Sequence, residues 1–533
     1  MLFKKTQLED KIGIWLVVFV FTLFGAGLRL FHVLRADFPL NDGGLFYTMV
    51  HDLLSNQFRL PLYTSYNHLN IPFAYPPLPF YLAAFLQALF GLDGLVVLRF
   101  LPLVVSILTI PAFFVFARTA LNSIPQALHA TLVFAILTPT YQWQIMGGGL
   151  TRAPGYLFSI LALWQAWLAL KTRQVKPVIW TIIFVALSGY CHLEILLSTA
   201  IFITVITFFL ARSRWGLVFL LAIGIGALAL LLPYILMTTS RHGLDSFVSA
   251  FQSGDLSPLK SVLRLLFQGV TLEYLFTPFL VIALLAFGKK LQQRDFLLPC
   301  LVLFTALFDP RSMERSLAIP LSLLVGIGID EIVIPGIGGI FQREKPVEGR
   351  TRLVLFPSLL AAFLVVYIAI RAAFSSQVYL LMEDQNLAGL PLADQVAMYW
   401  IDNNIPAEST FLILSGPSFW WNDGTSEWFP VLAQRTSLAT VQGSEWQPPG
   451  SFKRQIDFHS ALLDCSFKDV ACIEALARQN GAHFTHIYLS GQLSDRDTGF
   501  LSPLPVERAL RGSLGYKLVY DQDGKSVFEK IIR

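Results

Sequence analysis

The sequence predicts a polytopic α-helical membrane protein that carries a globular α/β domain at its C-terminal end. Three observations carry that prediction. Hydrophobic residues fill 55% of the 533 positions and charged residues only 14%, too little charge to cover the surface of a soluble protein of this size. About eleven apolar runs of near-spanning length follow one another up to residue 373. Beyond it the runs stop, and short helix-like and strand-like stretches alternate.

A spanning helix needs about 20 mostly apolar residues. Runs at 13–34, 97–117, 124–143, 153–170, 177–190, 195–211, 216–236, 272–288, 296–308, 316–334 and 353–373 come close to that length. Those at 177–190 and 296–308 are short; they continue through polar neighbours or line a cavity. The run behind MLFKKTQLEDKIG is too long for a signal peptide, and no small-residue cleavage site follows it, so it is expected to be the first membrane helix. The 45 Phe suit lipid-facing surfaces, and the 11 Trp, with Tyr, suit the interfaces.

Lys and Arg set the expected orientation. With the N-terminus in the cytoplasm, the inner segments 1–12, 118–123, 171–176, 212–215, 289–295 and 335–352 hold 16 Lys/Arg in 53 residues. The outer segments 35–96, 144–152, 191–194, 237–271 and 309–315 hold 8 in 117 residues. This positive-inside bias places the protein in the cell membrane with residues 374–533 outside. The chain thus divides into a membrane domain, 1–373, with a long first outer loop, 35–96, and an extracytoplasmic α/β domain, 374–533.

Two stretches of the first loop, 44–56 and 77–90, have apolar helical spacing but are too short to span. They suit helices lying along the membrane surface, the second starting at Pro76-Pro77. In the C-terminal part, ADQVAMYWIDNN and DVACIEALARQNG read as helices, FLILS and HFTHIYLS as strands. YKLVY and SVFEKII read as a closing pair of strands around Asp521-Gln522-Asp523-Gly524. Four cysteines form no CxxC pair, which removes a metal or thioredoxin-like reading. Cys465 and Cys472 are either a disulfide, permitted outside the cytoplasm, or two free thiols. No basic run or zinc spacing points to nucleic acid.

Chemistry is expected at the outer helix ends. Asp42, in FPLNDGGLFY, is followed by two glycines that let the backbone turn sharply or a ligand approach closely; the alternative is a cap for the helix near Gly44. His192 and Glu194, in GYCHLEILL, form an ionisable pair at the membrane boundary, or a polar loop tip. Arg152 follows three glycines at a helix start, an arrangement for anions or simply a tight loop. Arg311 and Arg315, in FDPRSMERSLAIP, share one helix face and suit phosphate oxygens; the alternative is pairing with Asp309 and Glu314.

Four stretches carry a family resemblance over about the first 120 residues: LRLFHVL, FPLNDGGLFYTMVHDLL, YPPLPFYLAAFLQALFG and VLRFLPLVVSILTIPAFFVFAR. They resemble the start of the GT-C glycosyltransferases, which include protein O-mannosyltransferases and aminoarabinose transferases. In the tail, AMYWIDNNIPAESTFLI, EWFPVLAQRTSLATVQGSEW and GAHFTHIYLS look like the extracytoplasmic domains of bacterial members. The resemblance implies a long first outer loop, a catalytic acid just after the first helix, and polyprenyl-phosphate-linked sugar donors. It also implies a lipid, glycan or protein acceptor on the outer face. Asp42 then becomes the base, with Glu194 next in line, and Arg152, Arg311 and Arg315 hold the donor phosphate. His192 is a further polar site residue, and a single displacement inverts the anomeric centre. Many members place two acids together in the first loop. Here Asp42 stands between Asn41 and Gly43, so a divalent metal is left open and no other cofactor is implied. The competing readings are a lipid-linked saccharide transporter or flippase, or a non-catalytic envelope assembly protein.

Overall fold

The structure is a computed structural model that describes residues 2–253, 278–309, 312–336, 387–415, 419–494 and 501–531. The expected run at 353–373, the first part of the run at 272–288, and Arg311 lie outside the described residues. The membrane part runs as α1 (Leu2–Arg35), α2 (Gly44–Ser55), α3 (Leu78–Phe90), α4 (Gly94–Leu121), α5 (Ile124–Ile136), α6 (Gln142–Ile145) and α7 (Gly149–Thr172). It continues as α8 (Val175–Cys191), α9 (Leu193–Leu210), α10 (Arg214–His242), α11 (Asp245–Gln252), α12 (Pro278–Gln292), α13 (Leu297–Phe308) and α14 (Met313–Gly328). Two short strands, β1 (Tyr63–Thr64) and β2 (Ile71–Pro72), pair between α2 and α3.

Among the described residues six helices are long and apolar enough to cross a membrane, or seven spans if the bent pair Phe279–Gln292 and Leu297–Phe308 counts as one. Each expected run that the described residues cover falls wholly or partly on a helix. The run at 124–143 breaks: α5 stops at Ile136 and Leu137 turns extended, and Pro139 has no N–H with which to continue the helix to the Ala135 oxygen, which Arg29 takes instead. Helix α8 has 17 residues and α13 has 12.

Two arginines fix how α1 delivers the chain to the first loop. Arg29 is fully buried and donates to the backbone oxygens of Gly25 and Ala135 and to the hydroxyls of Ser106 and Thr140. Its guanidinium also lies 4.7 Å from the centre of the Tyr141 ring, so a buried cation is satisfied by carbonyl and hydroxyl oxygens. Arg99 of α4 donates to the oxygens of Val33, Ala36 and Asp37, capping the C-terminal carbonyls of α1.

The C-terminal domain contains α15 (Leu392–Asn404), β3 (Thr410–Leu414), α16 (Gly424–Leu432), β4 (Thr436–Ser437), α17 (Ser451–Cys465) and α18 (Val470–Gln479). β5 (His486–Leu489), β6 (Gln492–Ser494), β7 (Leu501–Pro503), α19 (Pro505–Arg511), β8 (Tyr516–Gln522) and β9 (Lys525–Lys530) follow. Its main sheet has the order β4-β3-β5-β9-β8; β4, β3 and β5 are parallel, and β9 and β8 join antiparallel. The β8–β9 turn uses Asp523 at φ 49° and Gly524 at φ 72°, the left-handed pair that a two-residue hairpin favours. Cys465 and Cys472 form a disulfide between α17 and α18.

The first loop and the C-terminal domain share one hydrophobic core. Phe38, Leu45, Phe46 and Phe80 pack in the same cluster as Met398, Phe411, Trp428, Phe429 and Tyr488. Phe38 meets Trp428 edge to face at 4.7 Å between ring centres.

Candidate active site

Asp42 sits in a loop whose backbone is bent twice out of the ordinary regions. Asn41 has φ 53° and Gly43 has φ 122°; asparagine and glycine tolerate such values best. Leu40 bridges to Gly389, and the Asn41 N–H donates to the Ala388 oxygen at 2.8 Å. Gly43 occupies the N-cap of α2 with no side-chain cap hydrogen bond, so Asp42 does not cap that helix. Its carboxylate turns instead to α7. Oδ1 accepts from the Gly148 N–H at 2.7 Å, and Oδ2 accepts from Arg152 Nη2 at 2.9 Å. Arg152 also packs over the Trp143 ring at 5.2 Å.

The triple glycine is what lets these two segments touch. A Cβ on Gly147 meets the Asp42 backbone oxygen at 1.9 Å, and one on Gly148 meets Asp42 Oδ2 at 2.3 Å and Arg152 Nη1 at 2.8 Å. Gly148→Ala is therefore expected to destabilise the protein by roughly 1–3 kcal/mol, the usual cost of overpacking. Thermal melting of the purified variant checks this; an unchanged melting temperature contradicts the close approach.

A second carboxyl group reaches this loop from the C-terminal domain. Glu427, on α16, is buried, and its Oε1 accepts from the Gly43 N–H at 2.8 Å. Around it Tyr66 Oη donates to the Glu427 backbone oxygen at 2.7 Å, Trp428 Nε1 donates to the Asn41 oxygen at 3.3 Å, and Asn41 Nδ2 donates to the Trp421 oxygen at 3.2 Å. Helix α16 is started by Asp423, whose Oδ1 accepts from the Ser426 N–H at 3.0 Å, while His459 Nε2 lies 2.8 Å from its Oδ2. Burial first, then the negative charge of Asp42, pushes the Glu427 carboxyl up to about 8.

A further polar cluster lies where α9 and α14 meet. Arg315 is buried, its Nη2 is 4.0 Å from Glu194 Oε2, and that nitrogen makes no hydrogen bond. Ser312 Oγ donates to Glu194 Oε2 at 2.8 Å. Buried Asp309 spends its Oδ2 on the hydroxyls of Ser198 and Ser316 and its Oδ1 on the Ser312 N–H. Arg315 thus pairs with Glu194, a partner the sequence reading did not name. His192 forms the extended joint between α8 and α9. Helix α7 joins the two clusters: one turn on from Arg152, Tyr156 Oη donates to the Arg315 backbone oxygen at 3.3 Å, and a Cβ on Gly155 meets the His192 Cβ at 3.5 Å. The Asp42–Arg152 and Glu194–Arg315 pairs therefore flank one end of α7, while Arg311 is outside the described residues.

No protein-family model matches the sequence, and no curated protein matches it. Solved structures do. The archaeal oligosaccharyltransferase AglB from Archaeoglobus fulgidus, solved with an inhibitory peptide and a dolichol-phosphate, matches 90% of this chain and 69% of its own at 14% identity and a TM-score of 0.54. ArnT from Cupriavidus metallidurans, bound to undecaprenyl phosphate, matches 95% of this chain and 97% of its own at 12% identity and a TM-score of 0.53. The arabinofuranosyltransferase AftD from Mycobacteria matches 95% of this chain and 41% of its own at 16% identity and a TM-score of 0.52. These are GT-C membrane proteins. The chain has the GT-C fold.

AglB has also been solved with Zn and sulfate. The donor set around Asp42 does not fit a divalent ion. The cation at its carboxylate is Arg152, and Glu427 Oε1 is taken by a backbone N–H. Among the described residues no group of three or more His, Cys, Asp and Glu is placed to hold a metal. Sequence reasoning missed Glu427. Its signal was an acid inside EWFPVL, a helix turn that is otherwise apolar and is buried throughout from Ser426 to Leu432.

Proposed function

We propose that this protein is a membrane glycosyltransferase that moves a sugar from a polyprenyl-phosphate or diphosphate donor to an acceptor hydroxyl on the outer face. The observation that carries this reading is the Asp42 carboxylate, gripped by Gly148 and Arg152 on the helix that also carries Tyr156 to the Arg315 backbone, inside a GT-C fold. Two of the roughly four lone-pair positions of an ionised carboxylate are occupied there, which leaves acceptor capacity for a proton. In the reaction, Asp42 takes the acceptor hydroxyl's proton as that oxygen bonds to the anomeric carbon. The bond from that carbon to the phosphate oxygen breaks, and the phosphate leaves with the electron pair. A single displacement of this kind inverts the anomeric centre. General-base help of this sort contributes roughly 10²–10⁴-fold.

Arg315 is the group we assign to the leaving phosphate. It is buried, and one guanidinium nitrogen has hydrogen-bonding capacity to spare. Arg152 orients Asp42, and Glu194 and His192 complete the polar wall. The disulfide in the C-terminal domain fits an oxidising compartment and supports an extracytoplasmic position for that domain.

The test is purification in detergent, identification of co-purifying lipid by mass spectrometry, and incubation with synthetic polyprenyl-phosphate sugars. A bound polyprenyl phosphate and consumption of the sugar donor are expected. Translocation of an intact lipid-linked saccharide across vesicles, with no glycosidic bond made, assigns the protein to transport instead.

A further inference from the structure

We propose that Glu427 is a positioning residue for the transfer reaction: from the C-terminal domain it fixes the loop that carries Asp42, and it does so as an uncharged carboxyl group. The inference rests on the reading of Asp42 as the base. Its first support is geometric. The residue next to Asp42 hangs from Glu427 by a 2.8 Å hydrogen bond, and the residue before it is gripped by Trp428 Nε1 and the Trp421 oxygen. The fit is close on both sides. A Cβ on Gly44 meets the Glu427 backbone oxygen at 2.8 Å, and one on Gly424 meets the Asn41 oxygen at 3.0 Å. Helix α16 and the Asp42 loop therefore pack backbone to backbone, with no room for side chains between them.

The second support is electrostatic. The charges acting on the Glu427 carboxyl group are Asp42 on the loop and Arg152 on α7, and the Gly43 and Leu45 N–H groups act with Arg152 against burial and Asp42; Tyr66, which donates to the Glu427 backbone oxygen, has Glu445 and Asp423 near it in turn, and Asp423 pairs with His459. Arg152 is already committed to Asp42. A second ionised carboxylate in this buried position would stand beside the first with no cation of its own. Retaining its proton avoids that cost, in keeping with its carboxyl being pushed up to about 8. Ionisation at higher pH then sets a new negative charge against both Asp42 and the donor phosphate.

The experiment compares full-length wild type with Glu427→Gln and Glu427→Leu in detergent. Transfer rate and thermal melting are measured from about pH 5 to about pH 10, a range that brackets the carboxyl group's ordinary and raised values. Glutamine keeps an oxygen for the Gly43 N–H but cannot ionise; leucine removes the acceptor. Wild-type turnover is expected to fall as pH rises through about 8. Glu427→Gln, normalised to its own rate at neutral pH, should lack that fall, and Glu427→Leu should lose about tenfold at every pH for the lost hydrogen bond. The melting curves test the same point without activity. The carboxyl group is raised from 4.5 in the folded protein, so its stabilising contribution is complete below 4.5 and is lost as pH rises through about 8. Wild type should therefore melt progressively lower than Glu427→Gln across that interval. A gap between the two melting curves that does not change with pH, or an alkaline fall retained by Glu427→Gln, overturns the proposal. Wild type with no transfer at any pH overturns the glycosyltransferase reading, while the melting comparison still decides Glu427.

Discussion

Asp42→Asn is expected to cut sugar transfer by roughly 10²-fold or more, because an amide cannot take the acceptor's proton. Stability should fall as well, by the worth of a single hydrogen bond. Asparagine keeps an oxygen for the Gly148 N–H, and what is lost is one charge-assisted hydrogen bond to Arg152, worth about 2 kcal/mol. A helix cap would behave the other way, with activity tolerant of Asn, but the N-cap of α2 is Gly43. Melting and transfer assays on Asp42→Asn and Asp42→Ala separate the two effects. Full transfer activity in Asp42→Asn moves the base elsewhere, and Glu194 is the next carboxylate in the same site.

The second large effect is expected at Arg315. Arg315→Ala should weaken binding of a polyprenyl phosphate by about 10- to 100-fold, since a hydrogen bond to a charged group contributes about 1.5–3 kcal/mol. Truncation also strips Glu194 of its ion-pair partner, so a melting loss accompanies it. Arg315→Lys removes that ambiguity. It keeps the positive charge for Glu194 but not the planar fork that suits phosphate oxygens. Equilibrium binding of the lipid to both variants is the measurement. Wild-type affinity in Arg315→Lys and Arg315→Ala alike assigns the residue to holding α9 against α14.

What the sequence made legible was what depends on near neighbours. The apolar runs became helices because twenty or so apolar residues have few other options. The β8–β9 hairpin was legible in Asp523-Gly524, whose types suit the left-handed turn that forms there. Where a proline interrupts an apolar run, as Pro139 does, the helix ends early. The site divided in the same way. Asp42, Arg152, Glu194 and Arg315 were each recognisable from charge at a helix end, but their pairings were not. The triple glycine suits either an anion or a tight loop. Asp42's own carboxylate takes an N–H there, across 106 residues of chain. Glu427 was invisible for a plainer reason: its partner is 384 positions away, and no spacing rule reaches that far.

That separation has a consequence for how the molecule is made. Ribosomes add on the order of 5–20 residues per second, so on the order of 20–80 s pass between the synthesis of Gly43 and that of Glu427. During that interval the helices of the membrane bundle are emerging, while the Asp42 loop has neither its hydrogen-bond acceptor nor the Trp428 and Phe429 side chains that share its core. The Asp42 loop of the newborn chain therefore lacks its acceptor and its core partners until residues 427–429 have been delivered and have docked.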